Sequence, residues 1–211
     1  MFQRGCLFIV SGPSGSGKSA IAGSVLKSLQ NLKFSISYTT RAPRGNERDG
    51  VEYHFVSKEK FDYLIRSNAL IEWAQVYGNY YGTEEKSVND LLAQGSDVLL
   101  DVDVQGAATI RNKRQDSVSV FIMPPSYQVL RERLESRKMD KQYVIEQRLR
   151  ISCDEITRYK DFDYLIINDE LSRSTDELRA IISGSHCRME IRSESARRVL
   201  ETFGGLDAKN S

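Results

Sequence analysis

The sequence predicts an α/β protein: a parallel sheet packed between helices and interrupted by two inserted lobes. Three observations carry that prediction. Short runs at 7–10, 97–102, 118–123 and 164–167 are apolar at successive positions instead of alternating, the pattern of strands covered on both faces. Helix-like stretches at 20–29, 84–94, 127–137 and 171–182 punctuate these runs, and strands alternating with helices imply a parallel sheet. Two stretches break the rhythm: 34–83, rich in Tyr, Thr, Arg and Gly, and 133–160, heavily charged and helical in pattern. Both read as insertions into the sheet domain. The polar tail from Leu206 reads as frayed.

The first strand runs directly into Gly12, Pro13, Ser14, Gly15, Ser16, Gly17, Lys18 and Ser19, followed by Ala20. This fits G-x-x-x-x-G-K-[ST], the Walker A loop. A flexible turn would also use glycine and serine, but here the loop joins an apolar strand to a helix. Successive N–H groups of such a loop curl around an anion, and the helix N-terminus adds its positive dipole. Lys18 supplies a mobile charge for phosphates and Ser19 a hydroxyl for a divalent ion. The run Asp97-Val-Leu-Leu-Asp101-Val-Asp103 is an apolar strand with acids at its C-terminal end. Alone it reads as an ordinary strand terminus; beside a Walker A loop, Asp101 reads as the Walker B aspartate that steers Mg²⁺.

The 34–55 stretch, FSISYTTRAPRGNERDGVEYHF, holds Arg41 and Arg44 around Pro43. Proline pushes Ala42 toward an extended conformation, so both arginines can converge on one anion. Tyr53 and Tyr81 can donate phenolic hydrogen bonds to it. Composition alone favours a solvated basic loop. Glu72 lies in Leu70-Ile-Glu-Trp-Ala74, an acid in an apolar run; half-buried there, it needs a donor.

Bulk properties exclude several classes. The 211 residues carry 30 Lys+Arg and 29 Asp+Glu, a net charge of +1, which argues against a nucleic-acid or membrane surface. No apolar run approaches the roughly 18 residues that span a bilayer, and the chain reaches Arg4 and the glycine loop with no room for a signal peptide. Cys6, Cys153 and Cys187 show no C-x-x-C spacing. They read as reduced thiols in the cytoplasm, not as a disulfide frame or a zinc site. His54 and His186 are the only histidines, which disfavours histidine-based triads and H-E-x-x-H sites.

From about residue 5 to 182 the chain resembles the bacterial form of the guanylate kinase family. The resemblance rests on SGPSGSGKS, SISYTTRAPRGNERDGVEYHFV, IEWAQVYGNYYGT, LLDVDVQGA, PPSYQVLRERLESR, IEQRLR and IIND, in that order and spacing. It implies a P-loop NTPase core (1–36, 97–132, and 161–205 with a C-terminal helix), a GMP-binding lobe (37–96) and a helical lid (133–160). It implies ATP, GMP and Mg²⁺ as ligands, the ion on Ser19 and Asp101, and ATP on the loop through Ala20 and on Asn168. It places Arg41, Arg44, Tyr53 and Tyr81 on the GMP phosphate and Ser37, Glu72, Thr83 and Asp103 at the base. Lys18, Arg41, Arg133, Arg137 and Arg148 become the catalytic cations. After Arg137 the sequence departs from the family's glycine and Thr/Glu-rich turn, reading Lys-Met-Asp-Lys-Gln-Tyr143. A kinase-like module that binds peptides predicts a degraded P-loop, and a kinase for another small phosphate predicts loss of Glu72 and Asp103. The sequence leaves monomer and homodimer both open.

Overall fold

The computed structural model describes residues 4–76, 78–136 and 142–203. In chain order the strands are β1 (Leu7–Ser11), β2 (Leu32–Phe34), β3 (Tyr38–Thr39), β4 (His54–Phe55), β5 (Leu70–Val76), β6 (Asn79–Glu84), β7 (Asp97–Asp101), β8 (Val118–Met123) and β9 (Tyr164–Ile167). The helices are α1 (Lys18–Ser28), α2 (Lys58–Arg66), α3 (Glu85–Ala93), α4 (Val104–Lys113), α5 (Tyr127–Glu135), α6 (Gln142–Ile156), α7 (Leu171–Ser185) and α8 (Met189–Thr202).

Five strands form a parallel sheet in the order β2-β7-β1-β8-β9. Its successive apolar residues divide between two cores. Phe8, Val10 and Leu99 point to one face, against Ile21 and Val25 of α1 and Leu178 and Ile182 of α7. Leu7, Ile9, Val98 and Leu100 point to the other, against Val88 and Leu92 of α3 and Ile110 of α4. Double coverage is why these strands do not alternate with polar residues. Each fully buried Phe, Ile, Val or Leu contributes roughly 1.5–3 kcal/mol.

A second, mixed sheet runs β4-β3-β6-β5. Ile71 of β5 belongs to the same core as β1 and β7, so the two sheets share apolar contact. Leu130 and Leu134 of α5 pack with Ile145 and Leu149 of α6 as a separate small core. No helix among the described residues is long and apolar enough to cross a membrane.

The four long apolar runs are all strands. Missing from the sequence reading are β2, three residues with a charged centre, and α4, whose start Val104-Gln-Gly-Ala-Ala lacks a wide apolar stripe. Asp103 starts α4, its carboxylate accepting from the Gly106 N–H at 2.8 Å, as an N-cap should. The helix expected from residue 20 begins at Lys18, so the last two loop residues already belong to its first turn.

Gly12 follows β1 with φ 143°, and a Cβ there would stand 2.2 Å from the Ile122 carbonyl oxygen of the adjacent β8. Gly23, inside α1, has open space where a Cβ would go. Gly12→Ala should therefore cost about 3 kcal/mol through strain and collision, while Gly23→Ala should gain about 0.5–1 kcal/mol. Urea unfolding of both variants checks this; equal effects would mean the loop relaxes freely.

Candidate active site

The glycine loop leaves β1 at the carboxyl edge of the sheet, where the strand order reverses between β7 and β8, the place where ligands collect in such folds. Gly17 is the N-cap of α1 in a left-handed conformation. Lys18 Nζ donates to the carbonyls of Gly12 at 2.6 Å and Pro13 at 3.3 Å. Ser19 Oγ donates to Asp101 Oδ2 at 2.9 Å, linking Walker A hydroxyl to Walker B carboxylate. Burial raises the Asp101 carboxyl above its ordinary range, opposed by Lys18 and by the Ser19 hydroxyl. A carboxylate and a hydroxyl this close are hard oxygens of the type that bind divalent ions.

The loop is braced from one side. The Ser16 carbonyl accepts from Asn168 Nδ2 at 2.7 Å and from Arg133 Nη1 at 3.2 Å, while Arg133 Nη2 donates to the Asn168 carbonyl at 2.9 Å. Arg133 thus ties loop, α5 and the end of β9 together. Asn168 Oδ1 is buried and has no partner among the described residues. Arg148 is buried on α6. Arg137 lies outside the described residues.

A second group of polar side chains forms where β5 and β6 meet α4. The register Glu72↔Thr83 puts those residues directly opposite, and Thr83 Oγ1 donates to Glu72 Oε1 at 2.7 Å. Ser37 Oγ lies 3.3 Å from Thr83 Oγ1. Asp103 comes from the start of α4. Only a glycine at 106 lets these acids approach: a Cβ there would be 2.7 Å from Glu72 Oε2 and 3.1 Å from Asp103 Oδ1. Burial, with the Asp103 charge adding to it against the Thr83 hydrogen bond, pushes Glu72 up to about 7. Burial raises Asp103 too, against the Gly106 N–H. Two desolvated carboxylates side by side call for a ligand with several N–H donors.

The arginine pair is divided. Arg41 is 9% exposed, and its guanidinium forks onto Glu47 at 2.9 and 3.0 Å. It lies 5.3 Å from the Tyr53 ring centroid, and Tyr81 packs edge-on against Tyr53. Arg44 has an exposed side chain, but its backbone N–H also donates to Glu47 at 2.7 Å. Burial and then the Asp101 charge push the Tyr53 phenol up to about 12, keeping it a donor. The sequence reading passed over Glu47, although an acid three residues after Arg44 was a visible signal. It also passed over Glu155, on α6, which is pushed up to about 7 by burial, against the pull of Lys18 and of the Ser14 backbone amide. Nothing local in sequence points to Glu155, because it reaches the loop only through the packing of α6.

Glu72 carries a stability prediction. It holds its proton up to about 7 in the folded chain against an ordinary 4.5, so between those values the native state binds more protons than the unfolded one. Stability therefore falls as pH rises through that window. The loss is on the order of 3 kcal/mol above pH 7, from (7 − 4.5) × 1.36. Glu72→Gln should match the parent near pH 5 and exceed it by about 2–3 kcal/mol at pH 8 in urea unfolding. A parallel pH dependence in both proteins would place the charge cost elsewhere.

Comparison with known proteins agrees with this architecture. The guanylate kinase family model matches residues 4–185. Curated guanylate kinases include that of Neisseria meningitidis, 44% identical over 189 residues, covering 90% of this chain and 91% of that protein. That of Koribacter versatilis is 43% identical over 214 residues, covering 99% and 92%. The crystal structure of guanylate kinase from Anaplasma phagocytophilum superposes with a TM-score of 0.80 at 32% identity, covering 96% of this chain and 97% of that one. With a Walker A loop between strand and helix, two acids facing each other beside it and relatives matched along nearly the whole length, the chain belongs to the guanylate kinase family.

Proposed function

We propose that this chain transfers the γ-phosphoryl group of ATP to GMP, giving ADP and GDP, and accepts dGMP as well. One observation carries the reading: a glycine loop with Lys18 lies at the same sheet edge as the half-buried Asp103, and the buried Glu72 of β5 stands across Gly106 from that acid. Guanine presents N1–H and N2–H₂ side by side, which satisfies two carboxylate acceptors, and its O6 can accept from the Ser37 or Thr83 hydroxyl. Membership of the family and the names of the relatives support the same activity. A peptide-binding module of this fold needs neither Lys18 nor Ser19, and both are present.

In this reading the N–H groups from Gly12 to Ala20 hold the ATP phosphates, with Lys18 exchanging its loop carbonyls for them. Asn168 Oδ1 offers its acceptor to the adenine amino group. Arg44, Tyr53 and Tyr81 hold the GMP phosphate with Arg41, which exchanges Glu47 for it. Arg133, Arg137 and Arg148 supply positive charge around the transferring group. Ser19 and Asp101 would hold Mg²⁺, which there neutralises charge on the β- and γ-phosphates.

The new bond joins a GMP phosphate oxygen to the γ-phosphorus. The bond that breaks links that phosphorus to the bridging oxygen, which leaves with ADP. The nucleophile is already ionised at neutral pH, so no residue removes a proton, and the scarcity of histidine is no obstacle. The protein's work is alignment, charge stabilisation and exclusion of water. The segments 37–96 and 133–160 act as GMP-binding lobe and lid, closing on a core formed by 1–36, 97–132 and 161–205. The reaction belongs in the cytoplasm, a placement supported by the free state of Cys6, Cys153 and Cys187.

A coupled ADP-release assay across nucleoside monophosphates tests the base assignment. AMP presents a lone pair at N1 to the same carboxylates, so kcat/KM for GMP should exceed that for AMP by roughly 10⁴, with IMP also disfavoured. Glu72→Gln should erode this preference sharply. Comparable values for GMP and AMP in the parent protein would overturn the assignment.

The acid also sets a pH dependence. Only ionised Glu72 can accept from both guanine donors, and it titrates at about 7. GMP should therefore bind roughly tenfold more weakly at pH 6 than at pH 8, and Glu72→Gln should flatten the Glu72 component of that profile in calorimetric titrations. An unchanged slope in the variant would assign the effect to the GMP phosphate.

A further inference from the structure

At the opposite edge of the parallel sheet, three side chains that the phosphoryl-transfer chemistry does not use come together. Cys6 immediately precedes β1, Asp97 opens β7, and His186 is the C-cap of α7. Asp97 organises the group. Its Oδ1 accepts from the Cys6 backbone N–H at 2.9 Å, and its Oδ2 lies 2.8 Å from His186 Nε2. In the neutral ring, a carboxylate at Nε2 favours the proton there and leaves the Nδ1 lone pair free. That lone pair faces Cys6 Sγ, 3.9 Å away and 180 residues distant in sequence. One possible ligand atom from each residue lies within 4.8 Å of the others.

Such an arrangement has the chemistry of a metal site. Tetrahedral zinc holds a thiolate sulfur and an imidazole nitrogen about 3.5 Å apart, so closing the observed gap by roughly 0.4 Å brings both onto one ion. Metal-bound histidines characteristically donate their far N–H to a carboxylate, the role Asp97 already fills. Cys6 and Asp97 are buried, whereas the His186 side chain is 33% exposed, which gives an ion an approach from solvent. Asp97 and Asp116 act on the Cys6 thiol as negative charges and Arg188 as a positive one, so the surroundings are net negative even before the thiol ionises.

We propose that Cys6 Sγ and His186 Nδ1 bind one thiophilic divalent cation of the zinc class, with Asp97 as the positioning carboxylate for both ligands. The ion ties the end of α7 to the start of β1. Along β7 the group lies about 13 Å from Asp101, four residues at about 3.3 Å each, so it is separate from the phosphate site. Burial and then the Asp97 charge push the Cys6 thiol up to about 11. Binding must displace that proton, so the expected Kd is roughly micromolar, weaker than four-ligand structural zinc.

The test uses the full chain, reduced and metal-stripped, without nucleotide or Mg²⁺. Titration with Co²⁺ should develop a thiolate-to-cobalt charge-transfer band at one ion per chain, and Zn²⁺ should displace it and raise Tm. Cys6→Ser should abolish the band. His186→Gln should weaken binding at least about tenfold, and Asp97→Asn by about tenfold to a hundredfold with the band retained. Cys153→Ser and Cys187→Ser, at exposed thiols, should leave titration and band unchanged. No charge-transfer band in the parent at millimolar Co²⁺ would overturn the proposal, leaving a thiol–imidazole hydrogen bond only. A band that survives Cys6→Ser, or is lost in Cys187→Ser, would overturn it by assigning the ion to another thiol.

Discussion

The Walker A and Walker B groups of the candidate active site depend on the parallel pairing of β1 with β7 in a single register, Val10 beside Asp101. The glycine loop continues from β1 and the acids from β7, so this pairing sets Ser19 against Asp101 at 2.9 Å. A slip by one residue would turn Asp101 to the opposite face and drive Leu100 or Val102 toward the loop. The register is held because both strands are buried on both faces. Any slip would exchange the contacts of two packed cores at once, a penalty of several side chains at about 1.5–3 kcal/mol each. The Walker A loop and Asp101 are positioned by hydrophobic burial more than by any polar contact within the site.

Three of the site's cations are internally occupied. Lys18 rests on two loop carbonyls, Arg41 on the Glu47 carboxylate, and Arg133 on the carbonyls of Ser16 and Asn168. A buried unpaired charge would cost several kcal/mol, so each has an acceptor: carbonyls for Lys18 and Arg133, a carboxylate for Arg41. Phosphates are stronger acceptors than carbonyls, and Lys18 and Arg41 can exchange one partner for another without passing through a bare charge. The acids are treated differently. Burial leaves both above their ordinary ranges, against the Thr83 hydroxyl on Glu72 and the Gly106 amide, with a long Gln105 contact, on Asp103. Their demand for further donors is the electrostatic basis of the proposed preference for guanine.

The two edges of the parallel sheet carry different chemistry. Carboxyl ends of the strands gather helix N-termini, glycine amides and oxygen ligands, suited to phosphates and hard cations. At the amino ends a thiol, an imidazole and a carboxylate meet around Asp97, a softer set. The same strand, β7, supplies an aspartate to each edge, Asp97 and Asp101.

Local signals determined much of this protein from sequence. Unbroken apolar runs identified four of the five core strands, because double-sided burial leaves no room for polar alternation. The glycine loop was legible because an anion-binding backbone turn requires fixed residue types at fixed spacing. Glu72 stood out as an acid in an apolar run. Tertiary structure alone decided the rest. The short strand β2, with its charged centre, has a place only because β7 offers a paired edge. The fork of Arg41 onto Glu47 and the approach of Glu155 to Ser14 depend on loop closure and helix packing. The meeting of Cys6 with His186 across 180 residues has no spacing motif. Sequence periodicity records which face of an element is buried; which distant side chains share that burial is set by how the elements pack.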